Sequence, residues 1–427
     1  MISQFRRLAK EGSWIVFGQL IGFAGALVLV RVLTAYLGPA QYGELALSLT
    51  AAGLVNQVLM GGITVGIGRY YSIAAEKQDL RGYLRGSKYL LAYATVAVLV
   101  LSVIILGSLY FLGYFQWMGL LAAVLVLSVF TGYNVSLNAI QNAARQRAIV
   151  AFHGGLDAWL KIGLAIMVML WLGTSSTSVV IGYTFSSLFI MVCQCYFLRR
   201  IVPPAELACI ANYKQWVQKI WAFSMPFTIF GGFTWMQQVS DRWALQSFAT
   251  TTEVGQYSVL FQLGYTPIAL LTGVIVSFLG PILFQRSGDA TDTRRNSSVH
   301  KISWHITQVS LLITLLGFVI ASAFHDWLFS LLVADEYRAS SQLLPWFVLA
   351  GGLFATGQML ALKLMSEMKM TGLTIAKIVT ALIGILLNIV GASLAGMQGV
   401  IVALVAFSFV YLTWMLILAY LPSLRTS

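Results

Sequence analysis

The sequence predicts an all-α polytopic membrane protein with about twelve transmembrane helices, arranged as two pseudo-symmetric six-helix bundles with both termini in the cytoplasm. Composition is the first observation, because 59% of the 427 residues are hydrophobic and only 9% are charged, whereas soluble domains carry about 25% charged residues. The second observation is an uneven distribution of lysine and arginine between alternate loops. The third is a polar pattern that occurs once in each half of the chain.

Apolar stretches of sufficient length identify the helices one by one. A run of about 18 or more apolar residues with few charges is typical of a transmembrane helix. Short polar turns separate spans three and four, spans five and six, and spans eleven and twelve, so those neighbours are expected to be antiparallel. The predicted spans are 13–37, 42–67, 88–112, 117–140, 152–173, 177–198, 219–241, 254–284, 303–331, 341–365, 371–394 and 398–421.

The remaining loops are longer and basic, and they set the topology. Together with the two termini they hold 21 of the 26 lysines and arginines, which by the positive-inside rule places this side in the cytoplasm. The net charge of +12 therefore reflects topology and does not indicate a nucleic-acid partner. The central loop, 199–219, contains Pro203 and Pro204 and separates six spans from six. We accordingly predict an N-terminal bundle at 1–205 and a C-terminal bundle at 206–427.

The sequence contains no constellation typical of an enzyme or a metal site. The three cysteines have no histidine at metal-ligand spacing, and the four histidines are scattered. There is no glycine-rich phosphate loop followed by lysine and serine or threonine. We therefore expect no metal, no cofactor and no hydrolase or ATPase activity.

Four cations fall inside predicted spans and are the candidate substrate-binding residues: Arg31, Lys161, Arg242 and Lys363. A charge near the bilayer centre is unfavourable by about 2.5–3.5 kcal/mol on insertion scales and normally faces a bundle interior or a wet cavity. We expect the four to surround a shared aqueous cavity. For Arg31 an alternative is that it lies near a helix end and extends its charge to the headgroups.

Two carboxylates, Asp157 and Asp241, accompany these cations. Asp157 and Lys161 are four residues apart, so they share one helix face and can form an ion pair. Asp157 could serve only to neutralise Lys161 for insertion; alternatively Asp157 or Asp241 could exchange a proton for substrate, or the membrane potential could act on the anion. Four cations against two carboxylates leave surplus positive charge, which favours an anionic substrate such as a phosphate or pyrophosphate.

Helix-weakening residues in spans one and seven are candidate hinges: Gly22, Gly25, Pro226, Gly231 and Gly232. Glycine and proline are tolerated in membrane helices and often kink them. Spans one and seven hold equivalent places in the two halves, which favours bending there. The glycine spacing in span one is also typical of close helix packing.

A repeated pattern links the two halves. Gly43 follows Arg31 by twelve positions, and Gly255 follows Arg242 by thirteen. Each half thus places an arginine late in one helix and a glycine early in the next. Internal repeats are typical of secondary transporters, whose substrate sites lie near the repeat interface.

The segment from Arg31 to Gly43 resembles the Arg-x-Leu…Leu-Gly-Pro-x-x-Tyr-Gly signature at the first outer turn of polysaccharide transporters. Residues 61–71 resemble the end of their second helix, and Asp241–Arg242 with residues 255–258 resembles their seventh-helix region. These proteins are the Wzx-type flippases of the multidrug/oligosaccharidyl-lipid/polysaccharide (MOP) exporter superfamily, which also contains the MATE transporters. By position, Arg31 and Arg242 match the family's signature cations, whereas Lys161 and Lys363 rest on the charge argument alone.

The resemblance implies two bundles that open alternately to each side of the bacterial inner membrane. The implied substrate is an undecaprenyl-pyrophosphate-linked oligosaccharide for O-antigen, capsule or exopolysaccharide assembly. It also implies a monomeric transporter without cofactors, with a glycan polymerase and a chain-length regulator as candidate partners. Twelve spans are fewer than the lipid II flippases of the same superfamily contain.

Two other functions stay open. A drug/cation antiporter of the same superfamily would share the fold but should favour carboxylates in its cavity. A membrane polymerase or ligase acting on lipid-linked glycans usually needs a sizeable outer loop, and the longest one predicted here, around 334–338, is short.

Overall fold

The computed structural model describes residues 2–199, 213–287, 293–367 and 370–420. Within these ranges the chain is helical apart from short turns and contains no β-strand, which confirms the all-α prediction. The α-helices of the described chain are α1 Ile2–Tyr36, α2 Pro39–Val55, α3 Gly62–Glu76, α4 Leu80–Phe111, α5 Phe115–Ala143, α6 Arg147–Leu172, α7 Ser176–Arg199, α8 Tyr213–Phe248, α9 Thr251–Leu260, α10 Thr266–Ser287, α11 Thr293–Leu332, α12 Leu344–Ser366 and α13 Met370–Tyr420.

Spans two and eight each contain a π-helical segment. The first π segment, Asn56–Gly61, joins α2 to α3, and the second, Phe261–Tyr265, joins α9 to α10. Such i→i+5 segments are rare and frequently lie at functional sites. Because spans two and eight occupy the same place in the two halves, the irregularity is itself repeated. A short 3₁₀ segment, Asp335–Leu343, precedes α12.

Ten helices of the described chain are long and apolar enough to cross a membrane. One of them, α13, breaks at Ala395 and Gly396, where the backbone leaves the helical conformation, so it contains predicted spans eleven and twelve. Helix α8, which contains predicted span seven, has 36 residues but is too polar to be among the ten. The count of twelve depends on α8 as a spanning helix and stays a prediction, as does the location of the termini.

The chain forms two compact units. Unit 1 comprises Met1–Val32 and Glu44–Gln238, and unit 2 comprises Leu33–Gly43 and Val239–Ser427. The chain therefore passes from one unit to the other inside α1, inside α2 and inside α8. The predicted boundary at 205/206 lies outside the described residues and stays a prediction.

In unit 1, the first part of α8 packs closely against the glycine side of α3. A Cβ atom on Gly66 would lie 2.2 Å from Ser224 Oγ and 2.9 Å from the Ile220 carbonyl oxygen. A Cβ atom on Gly62 would lie 2.2 Å from Thr228 Oγ1. Only glycine permits this approach of the two helices, so α3 determines where this part of α8 lies within unit 1.

The start of α8 is tied to the start of α4. Asp79 caps α4 by accepting a hydrogen bond from Gly82 N, at 3.0 Å. Its other carboxylate oxygen accepts a 2.7 Å hydrogen bond from Trp216 Nε1, and the Trp216 side chain is buried against Tyr83. These contacts explain why the first part of α8 belongs to unit 1, although it follows the central loop in sequence.

In unit 2, the two glycines that end the repeated pattern contact each other's helices. A Cβ atom on Gly43 would lie 2.0 Å from the Thr251 carbonyl oxygen, and one on Gly255 would lie 1.9 Å from the Pro39 carbonyl oxygen. Each glycine thus meets the carbonyl of the residue four positions before the other glycine. This reciprocal crossing of α2 and α9 gives the sequence repeat a structural meaning, because both helices need a glycine at the same point.

The turn between α1 and α2 is held by the residues before and within the 3₁₀ segment, all within unit 2. Ala334 N donates a 3.2 Å hydrogen bond to Thr34 Oγ1. The buried Tyr337 donates its hydroxyl to the Leu37 carbonyl oxygen at 2.9 Å. These bonds, together with the glycine crossing, make residues 33–43 part of unit 2.

Candidate functional site

The structure distributes the four predicted cations between the units. Arg31 and Lys161 lie in unit 1, and Arg242 and Lys363 lie in unit 2. Their surroundings differ widely, so the four side chains are not equivalent. Arg242 has the environment best suited to binding an anion.

Arg242 lies near the end of α8 with its guanidinium group over an aromatic ring. Its Cζ atom is 4.7 Å from the centroid of Phe261, the first residue of the second π segment. The Phe261 ring in turn stacks on Tyr265, with centroids 4.6 Å apart and an interplanar angle of 21°. A cation–π contact of this kind contributes about 0.5–1 kcal/mol when exposed and about 2 kcal/mol when desolvated. This contact holds the guanidinium group above the Phe261 ring.

The neighbouring carboxylate, Asp241, is hydrogen-bonded to groups other than the Arg242 guanidinium. Its Oδ2 atom accepts a 2.7 Å hydrogen bond from the hydroxyl of Tyr257, and its Oδ1 atom accepts a 2.7 Å bond from the backbone N–H of Arg242. Asp241 is 4% exposed and Tyr257 is fully buried. Within the described ranges, the ion pairs found do not include the Arg242 guanidinium.

The half-buried Arg242 thus forms no direct ion pair with a carboxylate of the described chain. Arginine presents five N–H donors in a planar fork that matches phosphate oxygens. Partial burial lowers the effective dielectric constant and strengthens the attraction for an anion. The arrangement can bind a phosphate or pyrophosphate group.

Lys161 is paired in unit 1. Its Nζ atom lies 2.6 Å from Asp157 Oδ2, and the two side chains are 27% and 26% exposed. The other oxygen of Asp157 accepts a 2.9 Å hydrogen bond from Ser186 Oγ. The Lys161 charge is also 5.9 Å from the centroid of the Tyr183 ring. Lys161 is therefore partly exposed but neutralised by its neighbour one turn earlier on α6.

Arg31 is exposed on α1, five residues before the helix ends at Tyr36. Its neighbours Val30 and Leu33 are each 2% exposed and pack inward. This position fits a residue lining a cavity and equally fits one that extends its charge to the headgroups, so the two alternatives for Arg31 both stand.

Lys363 is sealed inside unit 2 rather than exposed to solvent. It is 1% exposed, and its Nζ atom lies 3.2 Å from Glu367 Oε1. The same atom donates a hydrogen bond to the Ala419 carbonyl oxygen at 2.5 Å and lies 4.4 Å from the centroid of the Tyr420 ring. These contacts join the end of α12 to the end of α13. In this conformation Lys363 does not line an aqueous cavity, because every donor direction is occupied by protein.

The structure does not bring Arg242 and Lys363 together. Phe347 of α12 packs on Tyr257 and Phe261, with ring centroids 5.2 and 6.3 Å apart, and so marks the level of Arg242. Lys363 follows sixteen residues later on the same helix, which corresponds to about 24 Å at 1.5 Å per residue. The two cations of unit 2 are therefore at different depths.

The candidate hinge residues fall into two groups. A Cβ atom on Gly25 would lie 3.0 Å from Ala158 Cβ, and one on Gly231 would lie 2.5 Å from the Gln57 carbonyl oxygen. These two glycines therefore permit close helix packing. Nothing lies within 4 Å of a Cβ on Gly22, and one on Gly232 meets only a side chain at 3.9 Å. Pro226 is exposed within α8, which continues through it. Gly22, Gly232 and Pro226 stay candidates for bending.

Three residues of these clusters were not predicted as site residues: Tyr257, Phe261 and Glu367. Glu367 follows Lys363 by four residues, the spacing that identified the ion pair of span five, so the same rule would have found it. Tyr257 and Phe261 lie on different helices from Arg242, and no spacing rule connects them. The second π segment has no sequence signal that we recognise.

Comparisons with known proteins agree with this architecture. A sequence profile of the family described as "Polysaccharide biosynthesis protein" matches residues 8–287. A search of curated proteins by sequence finds no match. Among solved structures, the chain is similar to the lipid II flippase MurJ in an inward closed conformation, with a TM-score of 0.70, 13% identity, and coverage of 96% of this chain and 87% of that chain.

It is also similar to two structures described as a MATE family multidrug resistance transporter of the MOP superfamily, one inward-facing and one outward-facing. The inward-facing structure has a TM-score of 0.62, 15% identity, and coverage of 94% of this chain and 93% of that chain. The outward-facing structure has a TM-score of 0.61, 14% identity, and coverage of 96% and 95%. Identities this low establish the fold alone, and they confirm the MOP/MATE-like helical architecture. Since the family profile covers well over half of the chain, including Arg31–Gly43 and Asp241–Arg242, the chain belongs to the polysaccharide biosynthesis protein family.

Proposed function

We propose that this protein translocates an undecaprenyl-pyrophosphate-linked oligosaccharide, the repeat unit of an O-antigen, capsule or exopolysaccharide, across the bacterial inner membrane by alternating access. Membership of the polysaccharide biosynthesis family and the MurJ-like fold support a transporter of lipid-linked glycans. The observation that carries the pyrophosphate assignment is the guanidinium of Arg242, which is fixed over Phe261 and makes no ion pair within the described chain.

The proposed mechanism assigns each part of the substrate to a matching environment. Arg242 binds the pyrophosphate, whose charge would otherwise oppose entry into the membrane. The sugars cross in water, because burying their hydroxyls in hydrocarbon without partners is unfavourable by several kcal/mol each. The polyprenyl tail stays in lipid. Arg31 supplies a further positive charge in unit 1, Lys161 is available to an anion only when the anion replaces Asp157, and Lys363 is assigned a structural role.

We propose that transport is driven either by proton exchange at a carboxylate of unit 1 or by the membrane potential. Asp157 is a candidate for proton exchange, because a substrate pyrophosphate could replace it as the partner of Lys161. Asp241 is less suited, since two donors already satisfy its carboxylate. A potential acting on the anion would supply about 2.3 kcal/mol per charge per 100 mV.

Complementation of a bacterial strain that lacks its own flippase tests the proposal. We expect the wild-type protein to restore surface glycan and the Arg242→Ala variant to lose at least about 90% of it, because removing one charge-assisted contact corresponds to about tenfold or more in affinity. Surface glycan is measured by lectin or antibody binding, with membrane expression quantified for every variant.

Arg338→Ala is the matched control for the complementation. Arg338 is 46% exposed and pairs with Asp335 in the 3₁₀ segment, so its removal should leave surface glycan unchanged. If well-expressed Arg242→Ala restores surface glycan as fully as the wild type, Arg242 is not the anion site and the proposal fails. A glycan polymerase and a chain-length regulator are the proposed partners downstream, acting on the glycan that a single protein copy delivers.

A drug/cation antiporter is the second candidate, favoured by the likeness to MATE transporters. Such a protein should expel a cationic dye from cells, and Arg242→Ala should not weaken that export, because an arginine repels a cationic substrate. A polymerase or ligase is less favoured, since the segment before α12, Asp335–Leu343, is short and folded as a 3₁₀ helix.

A further inference from the structure

The geometry points to Tyr257 as the positioning residue that keeps the Arg242 guanidinium out of a direct ion pair, by holding the neighbouring carboxylate of Asp241 in a hydrogen bond of its own. This inference rests on the proposed function and concerns the same site. It explains how a cation with an acidic residue beside it in sequence stays available for an anionic substrate.

An aspartate next to an arginine is the obvious internal competitor for the guanidinium. In a partly buried site the Coulomb attraction is several times larger than in water. If Asp241 formed that pair, the site would be neutral. A substrate pyrophosphate would then have to displace a carboxylate before it could bind Arg242.

Tyr257 prevents the pairing by its position. Its hydroxyl donates to Asp241 Oδ2 at 2.7 Å, and the side chain cannot turn away because it is fully buried. The Tyr257 ring is fixed edge-on against Phe347, with centroids 5.2 Å apart and an interplanar angle of 64°. The backbone N–H of Arg242 occupies the second oxygen of the carboxylate. Each oxygen thereby has a donor other than the guanidinium, and the ion pairs found in the described chain do not include Asp241 with Arg242.

One helical stretch positions both members of the pair. Tyr257 lies on α9 and Phe261 follows four residues later at the start of the second π segment. Tyr257 holds the carboxylate, and Phe261 holds the guanidinium over its face. The two side chains are themselves in contact, with ring centroids 6.1 Å apart. The stretch from 257 to 261 therefore separates two adjacent opposite charges that would otherwise combine.

The selectivity of the site follows from this separation. With Asp241 held by Tyr257, the guanidinium of Arg242 forms no direct ion pair with it, so its N–H donors can bind an anionic headgroup. With Asp241 released onto Arg242, the same residues form a neutral pair and the preference is lost. Tyr257 does not need to touch the substrate for this effect.

A double-mutant cycle on the purified protein in detergent tests the inference, with farnesyl pyrophosphate as the probe and calorimetry as the readout. We expect Tyr257→Phe to weaken binding about tenfold or more, because the freed carboxylate pairs with Arg242. Adding Asp241→Asn to Tyr257→Phe should return the affinity to within about twofold of the wild type, because the competing charge is gone. A merely structural role for Tyr257 predicts no such rescue.

Tyr411→Phe is the matched control, since it removes a buried hydroxyl that has no hydrogen-bond partner in the described chain, and it should bind the probe like the wild type. If Tyr257→Phe does not fold, Asp241→Glu replaces it, because the longer side chain moves the carboxylate past Tyr257 towards Arg242. We then expect Asp241→Glu to bind at least about tenfold more weakly than Asp241→Asn.

Three results would overturn the inference: unaltered binding by folded Tyr257→Phe, failure of Asp241→Asn to rescue it, or equal affinities of Asp241→Glu and Asp241→Asn. Arg242→Ala separates this outcome from failure of the proposed function. If Arg242→Ala binds farnesyl pyrophosphate like the wild type, the anion site itself is disproved. If Arg242→Ala loses binding while Tyr257→Phe keeps it, only the role of Tyr257 is disproved.

Discussion

Gly255→Ala is expected to destabilise the protein strongly, and more than the control substitution Gly273→Ala. The new Cβ would lie 1.9 Å from the Pro39 carbonyl oxygen and 3.0 Å from Gly43 N. Both are backbone atoms, so no side chain can move aside and the two helices must separate. Overpacking usually lowers the free energy of unfolding by about 1–3 kcal/mol, and here we expect a decrease at or above the upper end of that range. Thermal unfolding of the purified protein in detergent measures it.

Gly273→Ala provides the control on the neighbouring α10. A Cβ there meets nothing within 4 Å, so the substitution should be neutral or stabilise by up to about 1 kcal/mol through helix propensity. Because Gly43 and Gly255 form one reciprocal contact, the double variant Gly43→Ala/Gly255→Ala should lose less than the sum of the single losses. Additive losses, or a stable Gly255→Ala, would mean that α2 and α9 do not cross at these glycines.

Lys363→Ala is expected to cause the second large decrease in the free energy of unfolding. It leaves Glu367, whose side chain is 8% exposed, as a buried charge without a cation, and it removes the donor to the Ala419 carbonyl oxygen. Breaking a buried ion pair by removing one partner destabilises proteins by about 3–5 kcal/mol. Unfolding in detergent should show the loss, and proteolysis should reveal loosening of the α13 end.

Removing both charges of the Lys363–Glu367 pair should destabilise the protein less than removing only one of them. Lys363→Met combined with Glu367→Gln leaves no unpaired ion, and such replacements are often close to neutral. Arg338→Ala breaks a pair whose side chains are 46% and 85% exposed, so it should change stability by no more than about 1 kcal/mol. A stable Lys363→Ala that loses glycan transport would contradict the structural role and support the original cavity assignment.

Much of the fold was predictable because membrane helices have strong sequence signals. Long apolar runs identified the helical class. The predicted turns at 114–116 and 173–177 coincide, to within a few residues, with the connections from α4 to α5 and from α6 to α7. The exchange of residues 33–43 into unit 2 was not predictable. It depends on contacts such as Tyr337 with Leu37, which are 300 residues apart and leave no local pattern.

The candidate site was predictable only in part. An arginine inside an apolar span identified Arg242, because an isolated charge is unfavourable in lipid. The same rule placed Lys363 in the same group as Arg242. The sequence shows the charge of Lys363, but it does not show that Glu367 and the end of α13 enclose this side chain. The hydrogen bond of Asp241 and the aromatic contact of Arg242 come from Tyr257 and Phe261 on other helices, so sequence adjacency alone does not reveal them.

Movement of the lipid-linked glycan by the purified protein tests the central claim most directly. Proteoliposomes would carry lipid-linked oligosaccharide from the source organism, labelled on its sugar with a fluorophore that externally added dithionite quenches. The wild-type protein should make almost all of the label accessible, whereas Arg242→Ala should leave only the outer-leaflet share that protein-free liposomes show. If folded wild-type protein behaves like protein-free liposomes, the flippase assignment is contradicted. If Arg242→Ala moves the glycan as well as the wild type, the anion site is contradicted.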